Sequence, residues 1–207
     1  MSSESGKPSK GLFIVLEGID GSGKTTIARA LIQELEKRGY RTLYTFEPTD
    51  SDIVNIIKNK YGSLRDPFID ALTFALDRLI HVKTKIKPAL ENGFIVLADR
   101  YFYSSVAYQS ASGAPIEWVF EVNRWAIKPD IAVYLDVDPK IALQRKTGSF
   151  TRFPEFEELG FLSKVREIYL TMVKQGLLVK VDAARSIEEV FEDVKHIVLE
   201  ELRRRSL

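Results

Sequence analysis

At 207 residues and 45% hydrophobic side chains, the chain has the size and composition of a single α/β domain with a substantial core. A net charge of +1 gives no bulk attraction to nucleic acid or to a membrane surface, so each basic residue has to be judged by its position. Zero cysteines exclude disulfides and thiolate–metal sites and fit a cytoplasmic protein, and no apolar run approaches the ~20 residues that cross a bilayer.

The first segment, MSSESGKPSK, is polar, lacks an apolar signal core and is expected to be a disordered extension through residue 11. Leu12-Phe13-Ile14-Val15-Leu16 is a continuous apolar run, the pattern of a strand buried on both faces. Gly18-Ile19-Asp20-Gly21-Ser22-Gly23-Lys24-Thr25 follows at once and fits G-x-x-x-x-G-K-[ST]. A helix is predicted from Thr25 to Arg38, stopped by Gly39. Strand, glycine loop and helix N-terminus together make a polyphosphate cradle. Gly18, Gly21 and Gly23 let backbone N–H groups face phosphate oxygens, Ser22 and Thr26 extend that surface, Lys24 reaches the outer phosphates, and the Thr25 hydroxyl can ligate Mg²⁺.

Residues 41–46 read as a second strand ending at Glu47-Pro48, and Asp52 to Lys60 as a short helix. Pro67 opens a long helical stretch to about Leu90. Residues 94–98 form a third strand with Asp99-Arg100 at its C-terminal end, and helices follow, one from Pro115 to Ile127. Residues 131–135 form the fourth strand, ending at Asp136, and Pro139 starts another helix. Lys146 to Glu158 lacks periodicity and reads as a mobile loop. A helix over 159–174, a fifth strand over 177–181 and a final helix capped by Ser186 complete the chain. Five buried strands alternating with helices predict a five-stranded parallel sheet flanked by helices, of P-loop NTPase type, in a single domain from residue 12 onward. Ligands of such sheets bind outside the strand C-terminal ends, where Asp20, Glu47, Asp99, Arg100, Asp136 and Asp182 gather.

Asn59-Lys60-Tyr61-Gly62 lacks the aspartate of a guanine-reading NKxD motif, which argues against a GTPase. The third strand ends in an acid beside an arginine, a pair suited to metal handling and phosphate clamping, and phosphoryl transfer between two phosphorylated substrates calls for such charge. Four segments, EGIDGSGKTT from Glu17, LTFALDR from Leu72, DRYFYSSVAYQ from Asp99 and YLDVDPKIALQR from Tyr134, resemble those of the thymidylate kinase family in order and spacing. The resemblance covers nearly the whole chain after residue 11, and the second and third segments are far more specific than the phosphate loop.

The resemblance implies phosphorylation of dTMP by ATP with Mg²⁺, in a homodimer. It places Phe74 stacked on thymine and Arg78 donating to a base carbonyl. Four residues apart, the two share a helix face, although periodicity alone reads Phe74 as ordinary core. It places Arg100 on the dTMP phosphate, Asp99 on the metal or beside that phosphate, and Asp20 near the acceptor sugar. Glu47, Ser104 and Ser105 fall among the substrate contacts, and Tyr108 crowds the sugar 2′ position. Arg145 stacks on adenine opposite Asp182-Ala183-Ala184. Arg152, in a lid at about 146–158, supplies the transition-state cation, with Lys146 and Arg166 as alternatives. Two departures stand out: Thr49-Asp50 replaces the arginine or glycine pair usual after Glu47-Pro48, and Ile19 to Ser22 contain no basic residue. The alternatives are a kinase of deoxynucleosides or of another pyrimidine monophosphate such as dUMP, and a catalytically quiet nucleotide-binding module. Neither a nucleic acid nor a membrane is expected as partner.

Overall fold

A computed structural model describes residues 11–146 and 158–205. The expected N-terminal extension up to residue 10, and the expected lid apart from Lys146 and Glu158, lie outside the described residues. So does Arg152.

The apolar runs form the strands. β1 (Leu12–Glu17) is buried along its whole length, as are β3 (Ile95–Asp99) and β4 (Ile131–Asp136). β2 (Thr42–Phe46) and β5 (Val179–Asp182) are the outer strands, and both show solvent-exposed positions. The order is β2-β3-β1-β4-β5 with every pair parallel. From β1 the chain first builds one half of the sheet and then crosses to build the other. Such a reversal opens a crevice at the strand C-termini. The register brings the functional ends level: Leu16 pairs with Asp99, Phe46 with Asp99, and Asp136 with Asp182.

Helices cover both faces. α1 (Lys24–Lys37) starts from Gly23 and stops at Gly39, which takes a left-handed φ of 88°. α2 (Asp52–Lys60) is capped by Ser51, and α3 (Pro67–His81) by Asp66 with proline at its first position. The predicted long helix does run on, but through a π-turn at Val82–Ile86 into α4 (Lys87–Glu91). Pro88 has no N–H for the ladder, and Thr84 Oγ1 takes the Ile80 carbonyl at 2.8 Å, so the ladder loosens there. α5 (Phe102–Ala111) and α6 (Ile116–Val122) follow. α6 is five residues shorter at its C-terminus than the predicted 115–127, because the Asn123 side chain takes the Val119 carbonyl at 2.8 Å and turns end the helix. α7 (Pro139–Arg145) is capped by Asp138, α8 covers Leu159–Lys174, and α9 (Ile187–Arg205) opens on a reciprocal Ser186–Glu189 capping box. The fifth strand begins two residues later than its hydrophobic run suggests, since Leu177 N closes the end of α8 on the Met172 carbonyl.

Tyr101, Tyr134 and Tyr169 are among the largest fully buried side chains. Tyr101 meets Phe13 edge-on at 5.1 Å, and Tyr134 stacks on Tyr169 at 4.5 Å. Such ring pairs add ~0.5–1.5 kcal/mol to the area they bury. They tie β1 to the start of α5 and β4 to α8.

Candidate active site

The phosphate loop is built where β1 turns into α1. Gly18, Gly21 and Gly23 have φ of 149°, 83° and 93°. A side chain at Gly21 would collide with the Ala142 carbonyl of α7, so at this position glycine is required by contact as well as by torsion. Ser22 is buried in the loop, while Thr25 and Thr26 lie exposed at the mouth of α1. Lys24 is buried; its Nζ donates to the Ile19 carbonyl at 3.0 Å and lies 3.8 Å from Asp20. Burial first, and then the Arg100 charge, push its ammonium down to about 8. The Thr25 hydroxyl donates to Asp99 Oδ2 at 2.6 Å, and the Tyr44 hydroxyl reaches the same oxygen at 3.4 Å. A hydroxyl and a carboxylate converging beside the loop are hard oxygen donors, the type Mg²⁺ takes when phosphates and water complete its shell. Among the described residues there is no cluster of three acidic or histidine side chains, the cage a metal would need if the protein alone held it.

Asp20 links the phosphate loop to the rest of the crevice. It lies 2.5 Å from Arg100 Nη2, 3.2 Å from Lys146 Nζ and 3.8 Å from Lys24. Its burial would raise the carboxyl, but Arg100, Lys24 and Lys146 together hold it far below the usual carboxylate range. Arg100 has a φ of 71°, the one left-handed residue other than glycine among those described. Such a conformation costs ~1–3 kcal/mol and persists only where neighbours over-determine it. The Arg100 guanidinium donates to Asp20, to Ser104 Oγ at 3.1 Å and to the Tyr108 hydroxyl at 3.3 Å, and sits over the Tyr108 ring.

Beyond Arg100 a cleft encloses about 550 Å³, open solvent at its mouth included. Its walls include Asp20, Glu47, Phe74, Arg78, Arg100, Ser104, Ser105, Tyr108 and Gln109. Eight of these nine are the expected acceptor-side residues. Phe74 is half-buried and lines the cleft, so ordinary core does not describe it, and Arg78 is 3% exposed. Arg78 donates through Nε to Glu47 at 2.6 Å, through Nη2 to Ser105 at 3.1 Å, and through Nη1 to Asn123. Those bonds use three of its five N–H groups and leave two for a ligand edge. The other Glu47 oxygen meets His81 Nδ1 at 3.0 Å, and His81 Nε2 meets Thr45 at 2.7 Å.

The unusual Thr49 has a structural task. Its N–H and hydroxyl meet the buried Asp77 carboxylate at 2.8 and 2.5 Å, and Ser51 joins them at 2.6 Å. The loop after Glu47-Pro48 is thereby docked on α3. On the opposite side, Arg145 donates to the carbonyls of Ala183 at 2.7 Å and Ala184 at 3.1 Å, so the two expected adenine walls stand together. Arg166 is engaged by Asp136 through Nε and Nη2, at 2.7 and 3.1 Å. Lys146, in contrast, reaches Asp20 at the crevice.

Reading the sequence left several participants unassigned. Gln109 ends the DRYFYSSVAYQ segment and lines the cleft, with a buried Oε1 that has no partner among the described residues. His81 falls three residues after Arg78 on the same helix face, a spacing that would have flagged it. Asn123 had no signal. Glu17 was visible only as a charge ending an apolar strand.

The thymidylate kinase family model matches residues 16–194. The chain is 55% identical to a probable thymidylate kinase of Staphylothermus marinus over 192 residues, covering 93% of this chain and 96% of that one. It is 43% identical to a probable thymidylate kinase of Pyrococcus horikoshii, covering 93% and 98%. A probable thymidylate kinase of Pyrobaculum calidifontis is 42% identical, covering 90% and 95%.

Proposed function

The chain belongs to the thymidylate kinase family and is a nucleoside monophosphate kinase, and we propose that it transfers the γ-phosphoryl group of Mg·ATP to dTMP, giving dTDP and ADP. The observation that carries this reading is Asp20. This one residue of the phosphate loop touches both Lys24 and the Arg100 that guards the acceptor cleft, so donor and acceptor phosphates meet across it.

The acceptor is a phosphate monoester that is already anionic at neutral pH, so the attacking oxygen needs no general base. The physical problem is to hold two anions together in line. Phe74 and Arg78 hold the base, Tyr108 packs beside the sugar, and Arg100 clamps the acceptor phosphate. An acceptor-phosphate oxygen attacks the γ-phosphorus, the bond to the β–γ bridging oxygen breaks, and ADP leaves with that electron pair. Lys24 follows the charge as it moves to the leaving group. Thr25 and Asp99 would hold Mg²⁺ together with the nucleotide, and the ion would supply neutralisation of phosphate charge there. Lys146 is a further cation within reach, alongside the proposed role of Arg152. The absence of cysteine supports a cytoplasmic setting, and no helix among the described residues is long and apolar enough to cross a membrane.

A coupled ADP-release assay over dTMP, dUMP, dCMP, AMP and thymidine tests the reading. Turnover is expected to be fastest with dTMP and absent with thymidine, which offers Arg100 no phosphate. Thymidine turning over as fast as dTMP, or ATP binding with no turnover on any acceptor, refutes it.

We also propose a homodimer formed through α3. Phe68, Leu72, Leu76 and Ile80 recur every fourth residue on its outer face and are 42–54% exposed. The apolar residues of α5, by contrast, are mostly buried within the chain. A continuous apolar stripe of this kind on an outer helix is an interface feature. Light scattering at micromolar concentration is expected to give twice the chain mass, and Leu72→Asp/Leu76→Asp to give the single chain. A monomeric native protein overturns this.

A further inference from the structure

Glu17 is the last residue of β1, and its carboxylate is wholly buried. It is not among the walls of the acceptor cleft. Four protein donors converge on it: Oε1 accepts from Tyr101 N at 2.8 Å and Ser104 N at 3.2 Å, and Oε2 accepts from Ser104 Oγ at 2.6 Å and the Tyr169 hydroxyl at 2.8 Å.

Two features of this arrangement bear on Arg100. The first is backbone. α5 has no cap of its own, since Tyr101 at its N-cap position makes no side-chain cap bond. Glu17, from another element, takes the Tyr101 amide, shares the Ser104 amide with the Tyr101 carbonyl, and places its carboxylate at the helix N-terminus. The left-handed Arg100 is consequently pinned on both sides: its own N–H donates to the Leu16 carbonyl at 2.9 Å, and the next N–H donates to Glu17.

The second is side chain. The Ser104 hydroxyl donates to Glu17 Oε2, so its proton points there. The Ser104 lone pairs are then left facing Arg100 Nη1 at 3.1 Å. Burial raises the Glu17 carboxyl, while the Ser104 bond, the Arg100 charge and the Tyr169 bond pull against that rise.

We infer that Glu17 is a positioning residue: it fixes the first turn of α5 and, through the Ser104 hydroxyl, the aim of the Arg100 guanidinium. The inference rests on the reading of Arg100 as the acceptor-phosphate clamp. A buried carboxylate with no such role would cost stability when altered but would be indifferent to Arg100.

A double-mutant cycle separates the two. Glu17→Gln keeps the shape but puts an N–H₂ donor where one oxygen stood, so the Ser104 hydroxyl must turn. The kcat is expected to fall about 10- to 100-fold, the scale of a misplaced catalytic group, with the KM for ATP unchanged within about twofold. In an Arg100→Ala background the same change is expected to lower kcat by less than about threefold, because what it aims is gone. Ser104→Ala spares both backbone bonds to Glu17 and is expected to follow the same non-additive pattern; it carries the test if Glu17→Gln does not fold. Equal losses in both backgrounds, or no loss of kcat in the native background, overturn the inference. Intact turnover in Arg100→Ala alone removes the clamp and the inference with it, a result distinguishable from the others.

Discussion

Lys24→Ala is expected to lower kcat about a thousandfold while dTMP binding stays within about threefold of native. The size follows from losing one preorganised donor aimed at developing charge in a water-poor site. The Lys24 ammonium is buried, its direction is set by the Ile19 carbonyl at 3.0 Å, and it lies at the end of the glycine loop. Binding of dTMP is spared because the proposed acceptor cleft is lined by Glu47, Phe74, Arg78 and Tyr108, and Lys24 is not among its walls. A steady-state ADP-release assay and calorimetric titration with dTMP make the measurement. Near-native turnover would show that charge from elsewhere drives transfer, and the assignment would fall.

The second large effect separates two arginines. Arg100→Ala is expected to lower kcat about 100- to 1,000-fold, whereas Arg78 variants are expected to raise the KM for dTMP about 10- to 100-fold with kcat nearly kept. A phosphate clamp orients the reacting oxygen, while a contact to the base holds ground state and transition state alike. The two changes also differ in stability. Removing Arg100 leaves Asp20 with Lys146 at 3.2 Å and Lys24 at 3.8 Å, so little stability is lost. Removing Arg78 strips a 2.6 Å partner from a Glu47 side chain that is 2% exposed. Breaking a buried pair from one side costs ~3–5 kcal/mol. Arg78→Met combined with Glu47→Gln is therefore expected to recover thermal stability without recovering the KM for dTMP. Kinetics together with thermal melts decide, and a kcat defect larger for Arg78 than for Arg100 would mean the two roles are exchanged.

The acceptor site was less legible than the phosphate loop for a definite reason. Phe74 sits at a helix position that periodicity assigns to core, and it is in fact half-buried. It faces a cleft because the far wall is built by α5, a separate element that starts at the end of β3 and that helix periodicity does not register. Likewise, the Arg78 pairing with Glu47 spans 31 residues and that with Asn123 spans 45. Helix spacing encodes neighbours three and four residues apart and nothing at those separations.

Local chemistry alone settled the five apolar strands, the glycine loop, most caps and the quoted segments. Each depends on residues a few positions apart: a side chain that can or cannot alternate, a glycine that can take positive φ, an aspartate that can reach the next amides. The strand order could not be read that way, because β1, β3 and β4 are apolar on both faces and no local pattern says which of them lies in the middle. Tertiary structure put β1 in the middle, set Leu16 and Phe46 level with Asp99, and so brought Asp20 to Arg100 across 80 residues. It also decided the fate of Glu17. A charge at the end of an apolar strand reads as an exposed terminus, yet here four donors from α5 and α8 close over it, and burial turns it from a solvated charge into the support of the site.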